Sequence, residues 1–184
     1  MTPSKARVTG AVYLLYFLLV ISAASSVGRV PVAFSDAANL VANAVYVTVS
    51  LLLYQLLKPV DRNVALLAVT ISAIGCTVQS LALFHLVQAQ SALPIFGLFN
   101  ITIGYLVIRS TFLPRVLGIL MALSGVGWLM VLSPELVKHA DAYIEVVGVV
   151  AEGCLMLWLL IMGVNVQSWN EQAAAAGRPR LRSG

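Results

Sequence analysis

The sequence has little charge. Lys, Arg, Asp and Glu together make up 10% of its 184 residues, against about a quarter in an ordinary soluble domain. That shortage excludes a water-soluble core with an ordinary hydrated surface. Cysteine is almost as scarce. Cys76 and Cys154 form neither a CxxC nor a loop pair, which excludes a disulfide framework and redox chemistry. Each falls near the middle of an apolar stretch, where a lone thiol behaves as a small hydrophobe. There are two histidines, His85 and His139. The densest group of ligand-type side chains is "HADAYIE", with His139, Asp141 and Glu145, and its spacing matches no metal-ligand pattern. A Gly-rich phosphate loop, a Ser-centred elbow and a zinc signature are all missing. No metal and no cofactor is expected.

What the chain does have is length of apolar run. Hydrophobic residues are 60% of the total, and mean hydropathy is +0.96. Six stretches approach the ~20 residues that cover ~30 Å of hydrocarbon at ~1.5 Å per residue. They run over 8–27, 37–57, 64–87, 92–107, 113–132 and 143–166. The expected fold is all-α, a polytopic transmembrane bundle of six helices within residues 1–168. After it, residues 169–184 read as a helix remnant and a polar, basic, disordered tail. The N-terminus would also suit a secretory signal peptide: Lys5 and Arg7, an apolar run, then the small residues "SAASS". A retained helix is the expectation, because the apolar run reaches spanning length; cleavage after Ala24 is the alternative.

Six spans alternate sides, and the basic residues then separate. Lys5, Arg7, Lys58, Arg62, Arg109, Arg115, Arg178, Arg180 and Arg182 fall on one side, Arg29 and Lys138 on the other. Such a bias puts both termini in the cytoplasm. It also accounts for the basic excess without a nucleic-acid partner, and none is expected. Ser35 and Asp36 look like N-caps of the second helix, and Ser91 like the cap of the fourth with Pro94 in its first turn. "LLKPVDRN" and "RSTFLPR" are inner turns, and "SPELVKHADA" is the longest outer loop. The two inner turns share a basic–proline–basic likeness that snorkelling cations explain without an internal repeat. Tyr54, Tyr105, Tyr143 and Trp169 lie at the expected membrane boundaries. Tyr13 and Tyr16 lie inside the first span, so their hydroxyls need partners in the bundle. Gly97 and Gly104, with Gly118, Gly125 and Gly127, offer small-residue faces for close helix packing.

Depth singles out four polar residues. Asn43, Gln79, Asn100 and Glu152 each lie about six to nine residues in from an outer end, some 9–14 Å down at ~1.5 Å per residue. Phase adds two stripes. Asp36, Asn39, Asn43 and Tyr46 share a face of the second helix, and Asp141, Glu145, Gly148 and Glu152 a face of the sixth. Together they would wall a polar crevice opening outward, with Glu152 at its floor and Gly148 leaving room beside it. The candidate ligand-binding residues are therefore Glu152, Asn100, Gln79, Asn43, Glu145 and Asn39. Amides in spans often serve only as packing, at ~0.6 kcal/mol apiece. A deep acid costs roughly 2.5–3.5 kcal/mol to insert and usually marks a pathway, relay or ligand site. Glu152 is also the candidate catalytic group, though it would be alone at its depth.

Three stretches, "LLYQLLKPVDRNVALLA", "YLVIRSTFLPRVLGILMALSGVGWL" and "AEGCLMLWLLIMGVN", together resemble an uncharacterised family of small bacterial integral membrane proteins, a domain of unknown function. The family pattern falls on Arg109-Ser110, Pro114-Arg115 and Gly118. Its acidic residue is Glu152, ahead of Trp158-Leu159-Leu160 and Gly163-Val164. The likeness runs from Val8 to Val166, with a shorter third-to-fourth connection than in many members. It implies six helices and a bacterial plasma (inner) membrane, and it implies no activity.

Three functions stay open. One is a binding or transport-type module taking a small amphiphile, isoprenoid or cation, with Glu152 as counter-charge. Another is a membrane-embedded enzyme acting on a lipid or isoprenoid with Glu152 as general acid. The third is an interaction or regulatory subunit of a membrane complex. Membrane lipids are expected partners in each case, and a homodimer or a membrane partner protein could make up for the small size.

Overall fold

The computed structural model describes residues 3–26, 28 and 31–177. The side chains of Pro134, 136–143 and Glu145 lie outside that description, as do Arg29, Arg178, Arg180 and Arg182. Seven α-helices are present among the described residues: α1 Pro3–Ser26, α2 Val32–Leu57, α3 Arg62–Leu83, α4 Leu93–Arg109, α5 Arg115–Met130, α6 Pro134–Ile161 and α7 Val166–Ala176. A 3-10 turn, Ala89–Ala92, precedes α4. No strand occurs among these residues.

By length and composition α1, α2, α3 and the stretch Gln90–Arg109, which is α4 with the turn before it, can each cross a membrane, and the bent pair Val146–Ile161 and α7 makes a fifth span if it is counted as one. Helix α5 is apolar but has 16 residues, about 24 Å at 1.5 Å per residue. Each of the first six helices packs on its neighbours in sequence, and α6 returns to pack on α1. The six therefore close into a ring, joined up and down by short connections.

The outer surface of the ring departs from that of a soluble domain. Asn100, Ser50, Ser72 and Ser124 are buried, while Leu15, Leu18, Leu67, Ile74, Val149 and Ile161 are about half exposed or more. Apolar side chains facing outward around interior polar groups is what a lipid surround selects. The chain is an integral membrane protein by this pattern.

Close contact holds two seams. A Cβ on Gly97 would lie 2.8 Å from the Gly125 carbonyl oxygen, and one on Gly104 would lie 2.7 Å from that of Gly118, each pair reciprocally. Helices α4 and α5 thus touch backbone to backbone at two levels, seven residues apart on each helix. At the other seam, a Cβ on Gly10 would collide with the backbone of Leu159 and Leu160, so α1 lies as close to α6.

Several boundaries differ from the sequence expectation. Helix α2 starts at Val32 after an extended Pro31, so Ser35 and Asp36 lie inside it rather than capping it. Helix α3 ends at Leu83, because His85 turns left-handed at φ 57°. Its N–H bonds to the Ala82 carbonyl at 3.0 Å, and that of Leu86 to Leu81 at 3.1 Å, a Schellman closure with histidine where glycine is usual. Ser91 belongs to the 3-10 turn and caps nothing; α4 starts at Leu93 with Pro94 in its first turn. The outer loop expected over 133–142 is helical from Pro134. Proline suits a first helical turn, and Glu135 there complements the helix dipole. The polarity of that stretch does not break the helix.

Asp61 caps α3 as its turn suggests, accepting from Asn63 and Val64 N–H at 3.0 Å each. Past α6, Gly163 adopts φ 70°, and the chain bends by 103° into α7. The helix remnant expected after 169 is a docked helix that runs from Val166 to Ala176. Asn165 caps it, the Trp169 indole N–H donates to the Leu56 carbonyl at 2.8 Å, and Gln172 accepts from Thr111 at 3.1 Å.

Candidate functional site

Glu152 sits on the inward face of α6, one turn from Gly148. Three side chains from three other helices converge on its carboxyl group. The Tyr13 hydroxyl of α1 donates to Oε2 at 2.6 Å. Asn100 Nδ2 of α4 donates to Oε1 at 3.1 Å. The Tyr46 hydroxyl of α2 lies 3.4 Å from both oxygens. Asn100 Nδ2 also reaches Ser124 Oγ of α5 at 3.1 Å. Five of the six ring helices thus place a hydrogen-bonding group in one connected layer.

The neighbouring rings make that layer aromatic. Tyr46 meets Tyr16 at 4.6 Å between centroids, Phe96 at 5.5 Å edge-on, Phe99 at 5.6 Å and Tyr13 at 6.1 Å. Tyr13, Tyr46 and Phe99 are buried. Two of the carboxyl group's three partners, Tyr13 and Tyr46, thus belong to an aromatic cluster.

Two acceptor positions stay unfilled. Asn100 is fully buried, and its Oδ1 accepts from nothing. A carboxylate offers about four lone-pair sites, of which three are engaged, one of them loosely by Tyr46. Ser72 Oγ on α3 is a further buried oxygen without a partner. Buried polar atoms left in this way are rare and call for a water, an ion or a ligand.

The expected site residues separate into two groups. Glu152 and Asn100 are in direct contact. Asn43 instead donates to Ser80 Oγ at 3.0 Å, and Ser80 donates on to the Cys76 carbonyl at 2.7 Å. That pair lines an open groove of about 380 Å³ between α2 and α3, away from the acid. Asn39 bonds back to the Ser35 carbonyl of its own helix at 3.0 Å. Gln79 is half-buried and makes no hydrogen bond among the described residues. The side chains of Glu145 and Asp141 lie outside the described residues. The room expected beside Gly148 is filled by the Trp128 indole, whose Cζ2 would be 2.7 Å from a Cβ there.

Tyr13 found the partner its depth demanded; Tyr16 forms ring contacts with Tyr13, Phe17 and Tyr46 and no hydrogen bond among the described residues. What the sequence reading missed was the role of the two phenols and of Ser124 as the company of Glu152. The signal for Tyr46 was present, since it closes the stripe that begins at Asp36. For Ser124 there was none, because serine is common in spans and usually bonds its own helix, as Ser50 does.

Among the described residues no three His, Cys, Asp or Glu side chains cluster. Comparison with protein families returns the model described as "Domain of unknown function (DUF4386)", matched over residues 90–163. The match spans somewhat under half of the chain, and it includes the whole of α4, α5 and α6, hence Asn100, Ser124 and Glu152. It agrees with the resemblance to an uncharacterised family. Comparisons with curated proteins and with solved structures find no match.

Proposed function

We propose that this is a six-span protein of a bacterial plasma membrane, both termini cytoplasmic, that binds a small amphiphile through a cationic or hydrogen-bond-donating head group at Glu152. The observation that carries the reading is the pair of adjacent unfilled acceptors, Asn100 Oδ1 and the remaining lone pair of Glu152, in an aromatic setting. An ammonium head would supply donors to both and a hydroxyl head a donor to one, and ring faces favour a cation within about 6 Å. Tyr46, held at 3.4 Å, is the group most easily displaced by such a head. Tyr13 at 2.6 Å would keep the carboxyl group oriented.

The interaction-subunit reading loses one of its supports. Gly97 and Gly104 of α4 are spent on Gly125 and Gly118 of α5, so these four offer no free small-residue face to a partner.

The test is thermal stability in detergent, with and without membrane lipid extract, for wild type, Glu152→Gln and Glu152→Leu. Gln keeps the shape of the acid and can still accept from Tyr13, so its melting temperature without lipid should stay close to wild type. The lipid-dependent rise should shrink in both variants, because the counter-charge is gone. A rise undiminished in both would rule Glu152 out as the site. Orientation is tested separately. A reporter after Gly184 should read as cytoplasmic, and one inserted between Leu132 and Ser133 as external; the reverse would invert every depth assigned here.

A further inference from the structure

At the end of the ring where α6 finishes, α7 crosses the α2–α3 and α4–α5 turns and covers part of a second polar recess. It has a volume of about 410 Å³ and is lined by Tyr54, Lys58, Pro59, Arg62, Trp169 and Ala173. A smaller recess of about 150 Å³, lined by Lys5, Gln55, Lys58 and Trp169, adjoins it through Lys58 and Trp169. Three cations therefore surround one indole.

None of the three is neutralised. Lys5, Lys58 and Arg62 are exposed and make no ion pair among the described residues. Asp61 lies between Lys58 and Arg62 in sequence, but it caps α3 through the N–H groups of Asn63 and Val64 and forms an ion pair with neither cation. Glu171, the carboxylate of α7, accepts from Gln167 and lines neither recess. The geometry is also fixed in place. Trp169 is tied to the Leu56 carbonyl, Gln172 to the α4–α5 turn, and Gly163 sets the bend that lays α7 across the bundle end. Trp and Tyr beside Lys and Arg is the composition of a membrane–water boundary.

We infer that this recess is a binding site for the phosphate head group of an anionic phospholipid in the leaflet that α7 faces. Lys58 and Arg62 take the phosphate, Lys5 adds to the field, and Tyr54 and Trp169 border the glycerol end. The site shares no residue with Glu152 and stands whether or not the ligand reading there holds.

The full-length protein in a neutral detergent serves for the test, by native mass spectrometry and thermal unfolding. It is titrated with dioleoylphosphatidylglycerol, dioleoylphosphatidylcholine or inorganic phosphate. Phosphatidylglycerol should remain bound and raise the melting temperature, and its affinity should fall with added salt. Phosphatidylcholine should bind at least about tenfold more weakly. Lys58→Gln with Arg62→Gln should weaken phosphatidylglycerol about twentyfold, whereas Glu152→Gln should leave it unchanged. Equal binding of the two lipids, or equal stabilisation by inorganic phosphate, would overturn the inference on the wild type alone, even if the double variant did not fold. So would undiminished binding to a folded double variant.

Discussion

At the scale of single residues, the protein places an acid where hydrocarbon is expected and surrounds it with donors of unequal strength. Tyr13 approaches Glu152 to 2.6 Å and is fully buried, while Tyr46 stays at 3.4 Å from either oxygen. Losing a well-formed hydrogen bond costs about 1 kcal/mol, more where the partner is left unsatisfied, and a long bond is worth much less. Tyr13→Phe should therefore destabilise by about 1–2 kcal/mol and Tyr46→Phe by about 0.5 kcal/mol or less, as measured by reversible unfolding in detergent. Equal effects would mean that the carboxyl group is not anchored by α1. The acid and its amide partner were legible because Glu and Asn are rare at that depth and need each other. The phenols were harder to place. Tyrosine is at home in apolar spans, and nothing in the spacing of α1 relative to α6 says which of Tyr13 and Tyr16 faces inward. Asn43 and Gln79 share the expected depth, but depth leaves azimuth free, and Asn43 turns to Ser80 across the α2–α3 seam instead.

At the scale of helices, what fixes neighbours is how near two backbones can come. Gly118 faces the Gly104 carbonyl, with Ile108 Cγ1 also 2.7 Å from where its Cβ would be. Overpacking a tight site costs about 1–3 kcal/mol. Gly118→Ala should lose stability in that range, and Gly104→Ala likewise. Together they should cost less than the sum, because the helices have already been pushed apart by the first methyl. Gly153→Ala is the control: a Cβ there meets nothing within 4 Å, so helix propensity should make it neutral or stabilising by up to about 1 kcal/mol. A strictly additive pair would show that the two contacts yield independently. The glycine faces were visible as small-residue patterns, and their mutual pairing follows from α4 and α5 being joined by a short turn. Helix ends were less legible. Polarity in 133–142 looks like a loop, yet Pro134 and Glu135 start a helix there. The left-handed closure at His85 has no sequence mark where glycine would have supplied one.

At the scale of the whole molecule, the ring has one seam that joins its two ends in sequence, and that seam carries the acid. Helix α1 meets α6 where Gly10 abuts the Leu159–Leu160 backbone, and Tyr13 reaches Glu152 one turn further along. The other neighbours in the ring are adjacent in sequence and pair through short connections; α1 and α6 must find each other across most of the chain. The first helix thus contributes to the candidate site as well as to the wall. A chain starting at Ser25 would uncover the inward faces of α2 and α6 and leave Glu152 without its shortest hydrogen bond. Such a chain should lose its single cooperative unfolding transition and elute as a broad, aggregated species in detergent. Co-expression of residues 1–27 as a separate helix should restore a discrete complex, since van der Waals packing and hydrogen bonds, not chain connection, hold helices together in lipid. The same helix carrying Tyr13→Phe should restore it less fully. A truncated chain that stays monodisperse and unfolds as the full-length protein does would show that α1 is dispensable to the bundle, and that Glu152 is held by α2 and α4 alone.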